Sequence, residues 1–198
     1  MLNENTKYEK LETKSYPLLK EDVYQVQLID VNEFQGTKYQ SNEPEITLDF
    51  VFAVLQGKNA DGEDARKRVI KFNFVPVYLY ISKKTGKNKL YQAVEALVGK
   101  ELNREEEASG ITGKTLNYLI GKQARVFIEN KVTEKGTYSN IIKLSKIESE
   151  MTPFTKDEVT SIKNDIAEYE ESKKENTKKE WSEASESQED TPIEKIPF

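Results

Sequence analysis

Two strand-like runs joined by a polar turn constrain the fold of this chain more than any other stretch. In residues 46–55 apolar side chains recur at the spacing of two that is typical of a β-strand: Ile46, Leu48, Phe50, Phe52 and Val54. In residues 67–74 the apolar set Ile70, Phe72 and Phe74 alternates with a polar set that includes Lys67, Lys71 and Asn73. Residues 57–64 contain the Asp-Gly pair expected of a hairpin connection. We therefore predict a β-hairpin whose phenylalanines lie in the core and whose lysines lie on the outer face.

Other patterned segments extend this hairpin into a five-stranded domain. Residues 22–34 alternate like a first strand, and residues 123–132 and 137–147 like a fourth and a fifth, with Ile142 and Leu144 inward. Between the third and fourth strands, residues 88–98 have the apolar stripe of a helix, which Asn88 can cap and Gly99 can end. A second short helix is predicted at residues 115–120.

This order of elements is that of the OB-fold, a five-stranded Greek-key barrel. We predict a mainly β protein with an OB-fold barrel over residues 21–150 and a helix between strands 3 and 4. A mixed α+β sheet or a small sandwich would show similar alternation, and the fold alone does not name a function.

The flanking segments differ from this domain in composition. Residues 1–20 are predicted to form a loosely held arm. Residues 151–172 are predicted to form a C-terminal helix, because Thr155 and Glu158 have the spacing of a capping box before an apolar stripe. Residues 173–198 contain few apolar side chains, so we predict a disordered acidic tail. Residues 151–198 hold 7 lysines and 13 acidic residues, which concentrates there the negative charge of a chain whose net charge is −5.

The absence of cysteine and histidine weakens most enzyme hypotheses. Without them the chain has no disulfide, no thiolate or imidazole metal site and no histidine-based catalytic triad. We therefore expect no enzyme activity, no metal and no cofactor. No run of about 18 apolar residues is present and the first ten residues are polar, so we expect no membrane association and a cytoplasmic protein.

Two short motifs suggest other chemistry but lack the context it requires. Residues 108–115 resemble a phosphate-binding loop ending in Lys114 and Thr115, but the preceding residues 103–107 are charged instead of forming a buried strand. Residues 59–62 resemble the start of a calcium loop but lack the later glutamate, so a turn is the simpler interpretation. A phosphate-chemistry enzyme that uses Lys114 and Thr115 is the weakest of three hypotheses.

The last eight residues, Thr191-Pro-Ile-Glu-Lys-Ile-Pro-Phe198, follow a low-complexity acidic stretch. Here the chain resembles the bacterial single-stranded DNA-binding proteins and their phage relatives, whose OB domain is followed by a linker and an acidic tip ending Ile-Pro-Phe. Ile196, Pro197 and Phe198 match that ending, whereas Glu194 and Lys195 replace a run of aspartates and the Gly/Gln-rich linker is absent. The resemblance implies a divergent phage-type protein, in the host cytoplasm if phage-encoded. It would coat single-stranded DNA in replication, recombination and repair, and recruit partner proteins through its tip.

Basic and aromatic residues interleave on the predicted outer faces, as non-specific binding of a single strand requires. Candidate DNA-binding residues on the strands are Lys67, Lys71, Asn73, Arg125, Phe127 and Lys143, and those on the loops are Lys38, Tyr39, Lys131, Lys135 and Tyr138. Taken singly, each lysine is as well explained by solubility, and Phe127 by packing under the C-terminal helix. A structural or interaction protein without nucleic-acid binding is therefore the second hypothesis. A homo-oligomer is compatible with either.

Overall fold

The computed structural model describes residues 17–37, 43–84, 86–134 and 136–186, with the backbone alone for Thr37 and for residues 175–186. The chain divides between Lys156 and Asp157 into two units, which are described separately. The first unit contains, in chain order, β1 Val23–Thr37, β2 Pro44–Gln56, β3 Val69–Pro76, β4 Ile81–Ser82, β5 Gly86–Lys87, α1 Lys89–Val98, α2 Arg104–Ser109, α3 Gly113–Leu119, β6 Gln123–Thr133 and β7 Gly136–Ser145.

Five of these strands form one antiparallel sheet in the order β3-β2-β1-β6-β7. The long strand β1 pairs with β2 from Gln25 to Thr37 and with β6 from Val23 to Gln27, so it joins the two hairpins β2–β3 and β6–β7. All three helices lie in the chain between β3 and β6. The prediction of a mainly β, five-stranded domain with a helix between its third and fourth main strands is thereby confirmed.

The core consists of the alternating side chains that the sequence pattern predicts. Phe50 and Phe52 of β2 are fully buried with Phe72 of β3, and they meet Leu90 and Val94 of α1. Helix α1 follows the predicted bounds. Its first turn is capped by the Asn88 side chain, which accepts from the Tyr91 N–H at 3.2 Å, and Gly99 ends it with a φ of 80°.

A β-bulge reverses one side chain that alternation assigns to the core. The β2–β3 register shifts between Leu48 and Phe50, and Phe74 in the facing stretch has a φ of 55°. An irregularity of this kind moves the residues that follow to the other face of the strand. The prediction that Phe74 is a core residue is therefore wrong, since its side chain is 65% exposed and Val75 is buried instead.

A second bulge changes which side chains of β7 face the core. The β6–β7 register shifts between Phe127 and Ile128. Ile141 is buried and Ile142 is exposed, so the prediction that Ile142 faces inward is wrong, whereas Leu144 is buried as predicted. Lys67 also differs from its predicted place, because β3 begins at Val69 and Lys67 lies in the preceding turn with a φ of 68°.

The middle of β2 is buried on both faces. Besides the core-facing set, Val51, Ala53 and Leu55 are inaccessible to solvent. The outer face of β2 at these positions is therefore closed to a ligand.

The second unit contains α4, Lys156–Glu186. The helix predicted over residues 151–172 thus starts later and continues past Ser172 into the segment for which the sequence predicts a disordered tail. Residues 155–190 contain neither glycine nor proline, and Glu170 and Glu175 each stand four residues before a lysine. These features favour helix in spite of the low apolar content.

Candidate nucleic-acid interface

Two phenylalanines form an exposed aromatic pair on one face of the sheet. Phe34 on β1 is 51% exposed and Phe74 on β3 is 65% exposed. Their ring centroids are 6.5 Å apart with the planes at 89°, an edge-to-face arrangement. The two strands flank β2, so the rings bridge the strand between them. Planar apolar surface of this kind is typical of a binding site.

The backbone beside this aromatic pair is held by two charged side chains. The Phe74 N–H donates to Asp49 Oδ1 at 3.1 Å, and Lys89 Nζ donates to the Asn73 carbonyl oxygen at 2.7 Å. Lys89 Nζ also lies 5.0 Å from the centre of the Phe72 ring. Partial burial lowers the pKa of Lys89, and the charge of the Asp49 carboxylate opposes that shift.

A short hairpin after β3 presents lysines and tyrosines to solvent. In residues 77–88, here called the basic hairpin, Tyr78 and Tyr80 are each more than half exposed, and Lys83 and Lys84 are exposed at the turn between β4 and β5. A single strand needs cations for its phosphates and aromatic faces for its bases, and this segment offers both.

The basic hairpin is fixed to the start of α1. The Asn88 Nδ2 group donates to the Tyr78 carbonyl oxygen at 2.7 Å, and the Asn88 N–H donates to the Tyr80 carbonyl oxygen at 2.9 Å. Lys87 Nζ lies 2.8 and 2.9 Å from the two oxygens of Glu95, and that hydrogen bond is the main cause that raises the pKa of Lys87. The basic hairpin begins directly after β3, the strand that carries Phe74, and Lys89, the residue that follows the hairpin, bonds back to Asn73, so both ends of the hairpin lie next to this strand.

The β6–β7 hairpin brings together four of the residues predicted from the sequence. Phe127 and Lys143 are cross-strand partners, with Lys143 Nζ 5.4 Å from the centre of the Phe127 ring. Farther along, Lys131 faces Tyr138, and both are exposed. Each of these pairs combines a cation with an aromatic side chain.

Arg125 lies on a part of the sheet that the chain itself covers. Its Nη1 group is paired with Glu148 Oε1. The segment that follows β7 hydrogen-bonds to the outward glutamines nearby, as the Gln123 Nε2 group donates to the Met151 carbonyl oxygen at 2.7 Å and the Phe154 N–H donates to Gln27 Oε1 at 2.8 Å. A strand bound at Arg125 would have to displace these contacts.

The predicted DNA-binding residues therefore fall into separate groups. Lys71 and Asn73 lie on β3 next to the aromatic pair, whereas Phe127, Lys143, Lys131 and Tyr138 lie on β6–β7. Lys67 lies in the turn before β3, and Arg125 is engaged with Glu148. The other predicted residues lie outside the described part of the chain: Lys38, Tyr39, Lys135, Ile196, Pro197 and Phe198.

Sequence reasoning did not assign the aromatic pair or the basic hairpin to the candidate site. Phe34 and Phe74 follow the apolar alternation of their strands, which assigns such residues to the core. The available signal was Pro76, which marks the end of regular pairing, together with the lysine-rich turn at residues 83–89.

Among the described residues, no cluster of acidic side chains is arranged to hold a metal ion. In the same part of the chain, none of the helices has the length and apolar character needed to span a membrane.

Comparison of the sequence with protein-family models found no matching family, and comparison with curated proteins found no significant match.

Proposed function

We propose that this chain is a sequence-non-specific single-stranded DNA-binding protein with an OB-fold. It coats single-stranded DNA during replication, recombination and repair, and it acts by binding and not by catalysis. The residues that resemble the phage and bacterial family tip, Ile196, Pro197 and Phe198, recruit partner proteins in the cytoplasm of the cell, which is the host cell for a phage-encoded protein.

The sheet topology supports the OB-fold. The OB barrel requires that the first strand pair with both the second and the fourth main strand and that the two edge strands meet. Here β1 pairs with β2 and β6, and Cα atoms of the edge strands β3 and β7 approach within 8 Å of each other. A helix between the third and fourth main strands completes the similarity.

The observation on which the binding proposal chiefly rests is that the strand exposing Phe74 continues directly into the basic hairpin, whose Lys83 and Lys84 are exposed as well. Lys89, the residue after the hairpin, donates a hydrogen bond of 2.7 Å from its Nζ group to the Asn73 carbonyl oxygen, next to Phe74. Exposed rings stack bases of any sequence, and lysines contact phosphates in any sequence, so the combination favours non-specific binding. We take Lys71 and Asn73 as further contacts on the same surface.

A fluorescence-anisotropy titration with labelled oligo-dT at several salt concentrations tests this proposal. The full chain is compared with the double variant Lys83→Gln/Lys84→Gln. Each phosphate contact contributes about 0.7 to the slope of log affinity against log salt on a single strand, so the double variant should lower the slope by about 1.4. Binding should also weaken at low salt.

The matched control is Lys58→Gln/Lys114→Gln, which removes two exposed lysines outside the proposed interface. Its slope should equal that of the unmodified chain. It also tests the phosphate-loop hypothesis, which places Lys114 on a phosphate. An unmodified chain that fails to bind oligo-dT at low salt refutes the proposed function.

Exposed apolar side chains on β6–β7 favour a second candidate, an interaction or structural phage protein without nucleic-acid binding. Val132 is 77% exposed and Ile142 is 53% exposed. Such side chains are typical of protein contacts when they cluster. Absence of oligo-dT binding together with concentration-dependent self-association in sedimentation would favour this candidate.

A further inference from the structure

We propose that the aromatic pair Phe34–Phe74 is a preformed stacking site for one unpaired base, and that Asp49 and Lys89 are positioning residues that hold it open. The inference deepens the proposed function and rests on it.

One peptide group beside the aromatic pair is hydrogen-bonded at both ends. The Asn73 carbonyl oxygen and the Phe74 N–H belong to the same peptide group. Lys89 Nζ donates to the oxygen at 2.7 Å, and Asp49 Oδ1 accepts from the N–H at 3.1 Å. Both partners are ionisable, and hydrogen bonds to charged groups are stronger than neutral ones. The orientation of this peptide group is therefore fixed before any ligand arrives.

Phe74 has a backbone conformation that is strained for its residue type. A φ of 55° is unusual for a bulky L-residue, because its Cβ crowds the backbone in the left-handed region. Regular alternation would have placed Phe74 on the same side as the buried Phe72. The chain instead holds a strained backbone and exposes an aromatic ring to water, two features that each lower stability. Strain of this kind tends to persist at binding and catalytic sites.

The exposed rings of Phe34 and Phe74 offer apolar surface to a flat ligand. With the planes at 89°, the edge of one ring meets the face of the other, and a 65% exposed Phe74 leaves ring surface open to a flat ligand. Bases stack on aromatic faces regardless of their sequence. The exposed Lys83 and Lys84 of the adjacent basic hairpin complement the phosphates of a polyanion, which favours a nucleic-acid base over an apolar peptide as the occupant.

Ring removal tests the stacking site. Phe34→Ala and Phe74→Ala should each weaken oligo-dT binding roughly 5- to 150-fold, the range for one lost stack. Their salt slopes should stay unchanged, because no cation is removed. On an oligonucleotide of abasic sites, the unmodified chain and both variants should bind equally. Phe34→Leu and Phe74→Leu keep apolar bulk without an aromatic face, and they should lose affinity on oligo-dT as well.

Asp49→Ala tests the positioning role, because charge alone predicts the opposite result. Removal of a carboxylate should tighten the binding of a polyanion, whereas release of the Phe74 N–H should weaken it. We expect weaker oligo-dT binding in Asp49→Ala, near-normal binding in Asp49→Asn, which retains an acceptor, and no additional loss when Asp49→Ala is added to Phe74→Ala.

The outcomes separate this inference from the proposed function. If the ring variants bind oligo-dT like the unmodified chain while Lys83→Gln/Lys84→Gln loses affinity, the stacking site is refuted and the proposed function stands. If Asp49→Ala tightens binding, or its effect adds fully to that of Phe74→Ala, the positioning role is refuted. If the unmodified chain does not bind at all, the proposed function itself fails.

Discussion

Replacing Phe74 by glycine should give a more stable protein than replacing it by alanine, although glycine usually destabilises a strand. Both substitutions remove the same ring, so their difference isolates the backbone. An L-residue in the left-handed region costs roughly 1–2 kcal/mol, and glycine does not incur this cost. Relative to alanine, glycine lowers the free energy of unfolding by about 0.4–1 kcal/mol, because it gives the unfolded chain more conformational entropy. The glycine variant should therefore exceed the alanine variant in free energy of unfolding by between about 0 and about 1.6 kcal/mol, with a midpoint of about 0.8 kcal/mol.

Asn73 provides the matched control one residue away. It is exposed in the same strand, and among the described residues only Lys67 and Phe74 are non-glycine residues with a positive φ. At Asn73 the order should reverse, with alanine more stable than glycine by about 0.4–1 kcal/mol.

Urea unfolding of the four variants, followed by circular dichroism, measures both differences. With an m-value of about 2 kcal/mol/M, a difference of about 0.8 kcal/mol moves the midpoint by about 0.4 M. The four slopes should agree, which shows that the same surface is exposed in each case. Alanine more stable than glycine at both positions would show that Phe74 does not hold a positive φ in solution, and the strain that the stacking site requires would be absent.

Three further predictions concern other parts of the chain. Gly57→Ala should lower the free energy of unfolding by about 3 kcal/mol, because a Cβ at this position would overlap the buried Tyr24 ring. Gly62 has open space around it, so Gly62→Ala should lower the free energy of unfolding by only about 1–2 kcal/mol. Equal losses for the two variants in a denaturant titration would contradict this prediction. The pKa of Lys87 is raised above 10.5 by its hydrogen bond to Glu95, so the stability that this pair adds is complete below that pH and is lost as the pH rises through the folded-state pKa. The unfolding free energies of the unmodified chain and Glu95→Gln should therefore converge above pH 10.5, and a constant gap would argue against the linkage. Deletion of residues 196–198 should preserve or strengthen oligo-dT binding, and loss of that binding would show that the tip is not a separate recruitment element.

Local sequence signals were sufficient to predict most of the sheet and the first helix. The bounds of α1 are marked by Asn88, whose side chain caps the first turn, and by Gly99, which adopts a positive φ that other residues avoid. The strands β2 and β3 were visible because Phe50, Phe52 and Phe72 alternate with other residues over a long run. Signals of this kind depend only on near neighbours in the chain, so a single sequence contains them in full.

The errors arose where distant parts of the chain determine the local geometry. Phe74 follows the same alternation as Phe72, and only the register of β2 opposite it shows that a bulge turns it outward. Likewise, the sequence of β2 alone did not predict that Val51, on the face opposite the core, is buried. Sequence could therefore name lysines such as Lys71 as candidates. It could not show that the ring placed beside them would be Phe74.

A carboxylate such as Asp49 within a proposed DNA interface would ordinarily repel phosphates. Here its charge is balanced by Lys89, whose pKa responds to it, and its Oδ1 atom is engaged by the Phe74 N–H. The two charges are opposite in sign and act on the same peptide group, and at moderate salt the field of either is largely screened beyond about 8–10 Å. Asp49 and Lys89 can thus set the orientation of a peptide group without opposing the ligand. The exposed Lys83 and Lys84 are then the side chains that contact phosphates. For this reason the salt dependence of oligo-dT binding should change in the lysine variants but not in the ring variants.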